Sequence, residues 1–130
     1  MNRAAVILFC AVVSVLSVIV EIENGKIRGS DLHWMPEKYV LAFCRIPYAI
    51  PPLNKLRFRA PLPAKNWDGV FDGTQGAVSC YQTNQYRDDI PMTEDCLHIN
   101  VFTKNLTDLK PVVVYIHGGA LETGSGAVDS

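Results

Sequence analysis

The chain has 130 residues, 48% of them hydrophobic and 19% charged, with 12 Lys and Arg against 13 Asp and Glu, an ordinary globular balance at one-domain length. That balance excludes a disordered charged tail and a basic nucleic-acid binder. Hydrophobicity is unevenly spread: residues 4–20 contain no charge and two serines, so the rest of the chain is the more polar part.

The opening reads as a targeting segment. Arg3 precedes the apolar run 4–16, and Ser17 after Val15-Leu16 offers signal peptidase the small residue it requires. This predicts a signal peptide over 1–17 and an exported body over 18–130, secreted and without a stable membrane span after cleavage. The same residues admit an uncleaved anchor helix, although 17 residues at about 1.5 Å each span roughly 25 Å, against about 30 Å of hydrocarbon.

Cysteine usage agrees with export. If Cys10 leaves with the signal, Cys44, Cys80 and Cys96 remain, and an odd count in an oxidising compartment predicts one bridge and one spare thiol. Cys80 and Cys96 flank a polar loop, whereas Cys44 follows the apolar stretch 39–43, so the expected bridge is Cys80–Cys96. The alternative is a pair of buried free thiols. No Cys-x-x-Cys occurs, and His33, His98 and His117 are scattered, so neither a metal site nor a cofactor is expected.

In chain order, residues 18–23 alternate weakly, Asn24-Gly25 tolerates positive φ, and 26–29 resumes, which predicts a two-residue hairpin. Residues 39–43 form a third strand. Residues 47–63 hold five of the eight prolines and read as an extended connector packed onto the body through Tyr48, Leu53, Leu56 and Phe58, with at most a short turn near 53–56. Residues 97–103 alternate as a strand. Asn105-Leu106-Thr107 is an N-glycosylation sequon, meaningful because the chain reads as exported.

Residues 112–116, Val-Val-Val-Tyr-Ile, do not alternate. Such a run fits a strand covered on both faces, in the middle of a parallel or mixed sheet between helices. No segment of the exported part shows a sustained helical period that would cover it. The expectation is therefore an incomplete α/β domain, mostly β here, forming the N-terminal piece of a longer protein.

The chemistry is concentrated at the end of that run, in His117-Gly118-Gly119-Ala120. A glycine pair at the carboxyl end of a strand lets the backbone turn sharply and present successive N–H groups with no Cβ in the way. Acyl-transfer hydrolases require such donors where the attacked carbonyl becomes negative, and an HGGG-type loop does this in lipases and esterases. Taken alone, the motif is equally a tight strand-exit turn.

Its surroundings carry a fuller resemblance. Gly25-Lys26-Ile27-Arg28-Gly29, Arg45-Ile46-Pro47-Tyr48-Ala49, Arg57-Phe58, Trp67, Glu94-Asp95-Cys96-Leu97-His98-Ile99-Asn100-Val101 and residues 111–126 resemble, in order and spacing, the N-terminal part of the type-B carboxylesterase family. The resemblance implies an α/β-hydrolase fold and a small-molecule ester substrate. It implies that Gly119 and Ala120 are oxyanion donors with Gly118 shaping the turn, that Cys80 and Cys96 form the first disulfide, and that Arg57 and Glu94 form a structural ion pair. His117 is then a loop-supporting side chain. Ala120 stands where the commoner pattern has a third glycine, and Arg45 where glycine is usual. The segment between Cys80 and Cys96 holds Tyr81 and Tyr86 but no Trp, which argues against an aromatic platform for quaternary ammonium.

The family's nucleophile lies in Gly-x-Ser-x-Gly, which has no match: Ser125 sits between Gly124 and Gly126, with Thr123 and Ala127 two residues away. These residues alone are expected to be inactive, carrying an oxyanion loop without a triad. Two functions follow for the full-length form: a secreted serine esterase, or a non-catalytic extracellular adhesion module of the same fold.

Overall fold

A computed structural model describes residues 17–35, 38–83 and 90–127. The expected signal segment lies outside the described residues except for Ser17, as does Tyr86. The described strands are β1 (Val18–Ile22), β2 (Gly25–Met35), β3 (Lys38–Pro47), β4 (Val70–Asp72), β5 (Ser79–Cys80), β6 (Met92–Thr93) and β7 (His98–Thr103), with one 3-10 turn at Asn54–Leu56.

β2 organises the main sheet. Its first half pairs antiparallel with β1 and parallel with β4, and its second half pairs antiparallel with β3. β3 in turn carries β7 on its other side, giving the order β1-β2-β3-β7 with β4 beside β2. Alternation explains the first half of β2: Ile27 is fully buried while Lys26 and Arg28 face solvent. At Gly29 the absence of a side chain is required, because a Cβ there would lie 2.6 Å from the Phe43 ring.

The hairpin forms one residue earlier than Asn24-Gly25 predicts. The last ladder pair is Ile22↔Gly25, so Glu23 and Asn24 are the loop. Gly25, at φ +143°, abuts Trp67, whose Nε1 would be 2.7 Å from an added Cβ. A residue 42 positions away therefore decides the register: Trp67 N–H donates to Asn24 O at 3.0 Å and its indole N–H to Lys26 O at 2.9 Å.

Ile27, Leu41, Phe43 and Ile46 form the buried cluster, with Val18, Val20, Trp67 and Phe71 packed against it. The Trp67 and Phe71 rings lie 5.3 Å apart and tilted, a favourable aromatic pairing. Gly73, just past β4, donates to Arg28 O and accepts from Cys44 N–H, both at 2.8 Å, so it ties β2 to β3.

The proline-rich connector is pinned at its ends by the Ala49↔Pro63 bridge and by Ile50 N–H on Leu62 O at 2.9 Å. Its expected anchors are only partly in place. Leu56 is half-buried, but Tyr48 is 55% and Phe58 97% exposed. The reason at Phe58 is its backbone: at φ +56° the ring turns outward, where the Arg57 guanidinium lies 5.4 Å from its centroid.

The largest departure concerns residues 112–116, expected as a buried central strand. They join no sheet, and these residues are 73 to 92% exposed. A run apolar on both faces needs a layer on each. Among the described residues there is no α-helix and no strand beside it to supply one.

Candidate functional site

The residues after Ile116 turn back sharply. Gly119 O accepts from Glu122 N–H and Thr123 N–H, both at 3.0 Å. Ala120 and Leu121 between them have φ +55° and +64°. Two left-handed central residues are the pattern of a type I′ turn, which ordinarily takes Gly, Asn or Asp. Gly119 itself, at φ +126°, admits no side chain: a Cβ would lie 2.0 Å from Thr123 O. Neither the Gly119 nor the Ala120 N–H has an acceptor among the described residues. His117 Nδ1 lies 2.8 Å from Gly118 O; since a carbonyl can only accept, it is the Nδ1–H tautomer that makes this bond and braces the backbone ahead of the turn.

Two side-chain amides hold the far end of this loop. Gln82 Oε1 accepts from Gly124 N–H at 2.8 Å, and Gln82 Nε2 donates to Gly124 O at 3.0 Å. Asn100, on β7, donates from Nδ2 to Gly126 O at 2.9 Å and accepts through Oδ1 from Arg45 N–H at 2.9 Å. The Arg45 contact falls where β3 and β7 slip register between Phe43 and Ile46. Sequence reasoning singled out neither amide for this role. The available signals were their neighbours, since Gln82 stands two residues after Cys80 and Asn100 lies within the 94–101 segment.

Cys80 and Cys96 are joined, with Cα atoms 5.1 Å apart, and the bond links the β5–β6 pair to the start of β7. Among the described residues Cys44 is the free thiol, partly buried on β3, and burial raises its pKa, so it is a poor nucleophile. Arg57 and Glu94 form an ion pair with both side chains nearly half exposed, so it fixes the connector's geometry and contributes little net stability. Asn105 is exposed in the loop after β7, its amide donating to Asp108 at 3.2 Å.

His98, also on β7, has a side chain only 11% exposed, with Nε2 3.4 Å from Asp95. Its Nδ1 is buried with no hydrogen-bond partner among the described residues. Burial holds its pKa below the ordinary value; Asp95 opposes this, and the Arg45 cation adds to it. Asp72 titrates low because Thr74 and Gln75 donate to its carboxylate. Among the described residues no cluster of three or more His, Cys, Asp or Glu is arranged to hold a metal ion, and no helix is long and apolar enough to cross a membrane.

The geometry fits a class of site: an apolar run turning on paired glycines, with two successive N–H donors that have no acceptor among the described residues and a disulfide-tied segment held to the loop through Gln82. Residues 16–129 match the model of the carboxylesterase family, and the chain belongs to that family. Membership implies the α/β-hydrolase fold. The chain is 39% identical over 126 residues to acetylcholinesterase-1 of Trittame loki, covering 88% of this chain and 22% of that protein. It is 39% identical to cocaine esterase of Oryctolagus cuniculus, covering 81% of this chain and 23% of that protein. With esterase P of Drosophila melanogaster it shares 40% identity over 119 residues, 85% of this chain and 21% of that protein. The chain thus spans about a fifth of the length of these curated relatives.

Proposed function

We propose that this chain is the N-terminal portion of a secreted carboxylic-ester hydrolase, with residues 1–17 as its signal peptide and 18–130 as the first part of its catalytic domain. A serine supplied by the rest of the protein attacks the ester carbonyl while a histidine takes its proton. The carbonyl π electrons move onto oxygen, and the Gly119 and Ala120 N–H groups stabilise that charge. Expulsion of the alcohol, which regains a proton from the histidine, leaves an acyl-enzyme that water clears by the same route in reverse. The 112–116 run is covered by that remaining structure.

The observation that carries this reading is the turn at Gly119 and Ala120 in a chain of the carboxylesterase family: two consecutive donors without an acceptor among the described residues, and no side chain at Gly119 to obstruct an oxygen. None of the 130 residues sits as serine in Gly-x-Ser-x-Gly, so this segment alone hydrolyses nothing by that mechanism. The substrate class is small carboxylic esters. The exposed Asn105 supports a glycan acceptor, which fits export.

The test is expression of the full-length protein from secretory cells, with assay of the medium on short-chain p-nitrophenyl esters and labelling by a fluorophosphonate, which modifies activated serines. Hydrolysis that the label abolishes is expected, with Asn105 glycosylated and the leader absent. Folded, secreted protein that neither hydrolyses esters nor takes the label would instead be a binding module of the same fold.

A further inference from the structure

We propose that Gln82 is a positioning residue for the loop that carries Gly119 and Ala120, acting as a two-point clamp on Gly124; the proposal rests on the ester-hydrolase reading. The loop has little packing to hold it, since residues 117–122 are exposed. Hydrogen bonds must therefore fix it.

Gly124 is where they converge. Its φ of +112° folds it back against His117 and Gly118, so closely that a Cβ would lie 2.4 Å from His117 Nδ1 and 2.6 Å from Gly118 O. Thr123, its neighbour, closes the turn onto Gly119 O. Holding Gly124 consequently sets where the turn sits. Gln82 holds both its backbone groups at once, N–H at 2.8 Å and C=O at 3.0 Å, as a neighbouring strand would. The partners fix the amide's orientation, because only Oε1 can accept the N–H.

The clamp is anchored at its base. The two hydrogens of Gln82 Nε2 are shared among Gly124 O, Cys80 O at 3.2 Å and Ser79 Oγ, and Cys80 is bonded to Cys96 just before β7. A covalent and hydrogen-bonded path thus runs from β7 through the disulfide and Gln82 to Gly124, and on to the donors. Without the Gln82 amide, the side-chain contact left to Gly124 among the described residues is Ser79 Oγ on its carbonyl at 3.4 Å. Donor placement matters steeply, since a misplacement of about 1 Å costs on the order of 100-fold in rate. The loss falls on the transition state, where the oxyanion exists, and spares substrate binding.

The experiment compares Gln82→Ala and Gln82→Glu with the parent in the full-length protein. Glu keeps an oxygen for the Gly124 N–H and replaces the donor to Gly124 O by a second acceptor. Three quantities are read: backbone amide exchange at Gly124, kcat per fluorophosphonate-titrated site with KM, and affinity for a trifluoromethyl ketone that forms a tetrahedral adduct. Gln82→Ala should exchange Gly124 faster and lower kcat by about 10- to 100-fold with KM within about twofold. Ketone affinity should fall in parallel, with Gln82→Glu in between. Unchanged Gly124 exchange in Gln82→Ala would overturn the clamp. Faster exchange with kcat per titrated site unchanged would overturn the positioning role. An inactive parent would overturn the ester-hydrolase reading and the kcat expectation with it, while Gly124 exchange would still decide whether the clamp exists.

Discussion

The backbone N–H of Arg45 donates to the side-chain oxygen of Asn100 at 2.9 Å, and to reach it Arg45 is held at φ +57°. A left-handed residue with a Cβ is strained by about 1 to 2 kcal/mol, of which a glycine's greater unfolded freedom returns roughly half. Arg45→Gly in the full-length protein should therefore raise stability by about 0.5 to 1 kcal/mol in urea denaturation. A loss of stability would mean that the Arg45 side chain makes a contribution larger than its strain.

The same substitution bears on His98, which burial holds below its ordinary pKa of 6.5 and which Arg45 pushes in the same direction. The groups facing it are Asp95 and Arg45. As pH drops below 6.5, an unfolded His98 takes up a proton while the folded one stays neutral, so the unfolded state binds more protons. Stability is fully present above pH 6.5 and declines as pH falls through the window between the unfolded and folded pKa values. Urea midpoints measured from pH 7.5 to 5.5 should fall, and His98→Gln should flatten that slope. Arg45→Gly should raise the His98 pKa toward 6.5 and flatten it in part; an identical slope in all three proteins would show that His98 does not contribute.

The disulfide closes a loop with a sequence separation of 16. Cys80→Ser, Cys96→Ser and the double variant should each destabilise by about 2 to 5 kcal/mol, and by similar amounts, because one bond is lost in all three. Additive losses in the double variant would show that each sulfur acts separately. Cys44 should alkylate slowly in the native protein, given its burial and raised pKa.

Gly119→Ala places a Cβ 2.0 Å from Thr123 O, a backbone atom that cannot step aside alone. The turn must open, so on the proposed ester-hydrolase reading kcat of the full-length protein should fall by about 100-fold or more. The turn is exposed, and far-UV circular dichroism should therefore be unchanged. Full activity in Gly119→Ala would show that the turn is not the working conformation.

Much of the sheet was legible because its cause is local. Ile27 between Lys26 and Arg28 specifies a strand with one face inward, and the alternation of residues 97–103 marks a strand, although its apolar Ile99 and Val101 are the exposed side chains and His98 and Asn100 the half-buried ones. What depended on distant partners was not. The turn register at Gly25 is decided by Trp67, and the outward Phe58 by its own backbone twist. The apolar run 112–116 states that it needs two covering layers without saying where they come from. In the candidate site, the glycines announce a sharp turn by their chemistry, and the cysteine pair follows from the polar loop they flank. The roles of Gln82 and Asn100 exist only through Gly124 and Gly126, 42 and 26 positions away, and nothing in an isolated Gln or Asn marks such a partner.

The most direct measurement concerns the Ala120 N–H itself. Proline is unsuitable for removing it, because Ala120 sits at φ +55° and proline requires about −65°. Replacing Ala120 by L-lactic acid converts that amide to an ester, removing the donor while keeping the methyl group and the turn. With kcat measured per titrated site in the full-length protein, this replacement should lower kcat by about 10²- to 10³-fold. Ala120→Gly, which keeps the N–H and relieves the left-handed strain, should stay within several-fold of the parent. An ester variant as active as the parent would contradict the assignment of Ala120 as an oxyanion donor.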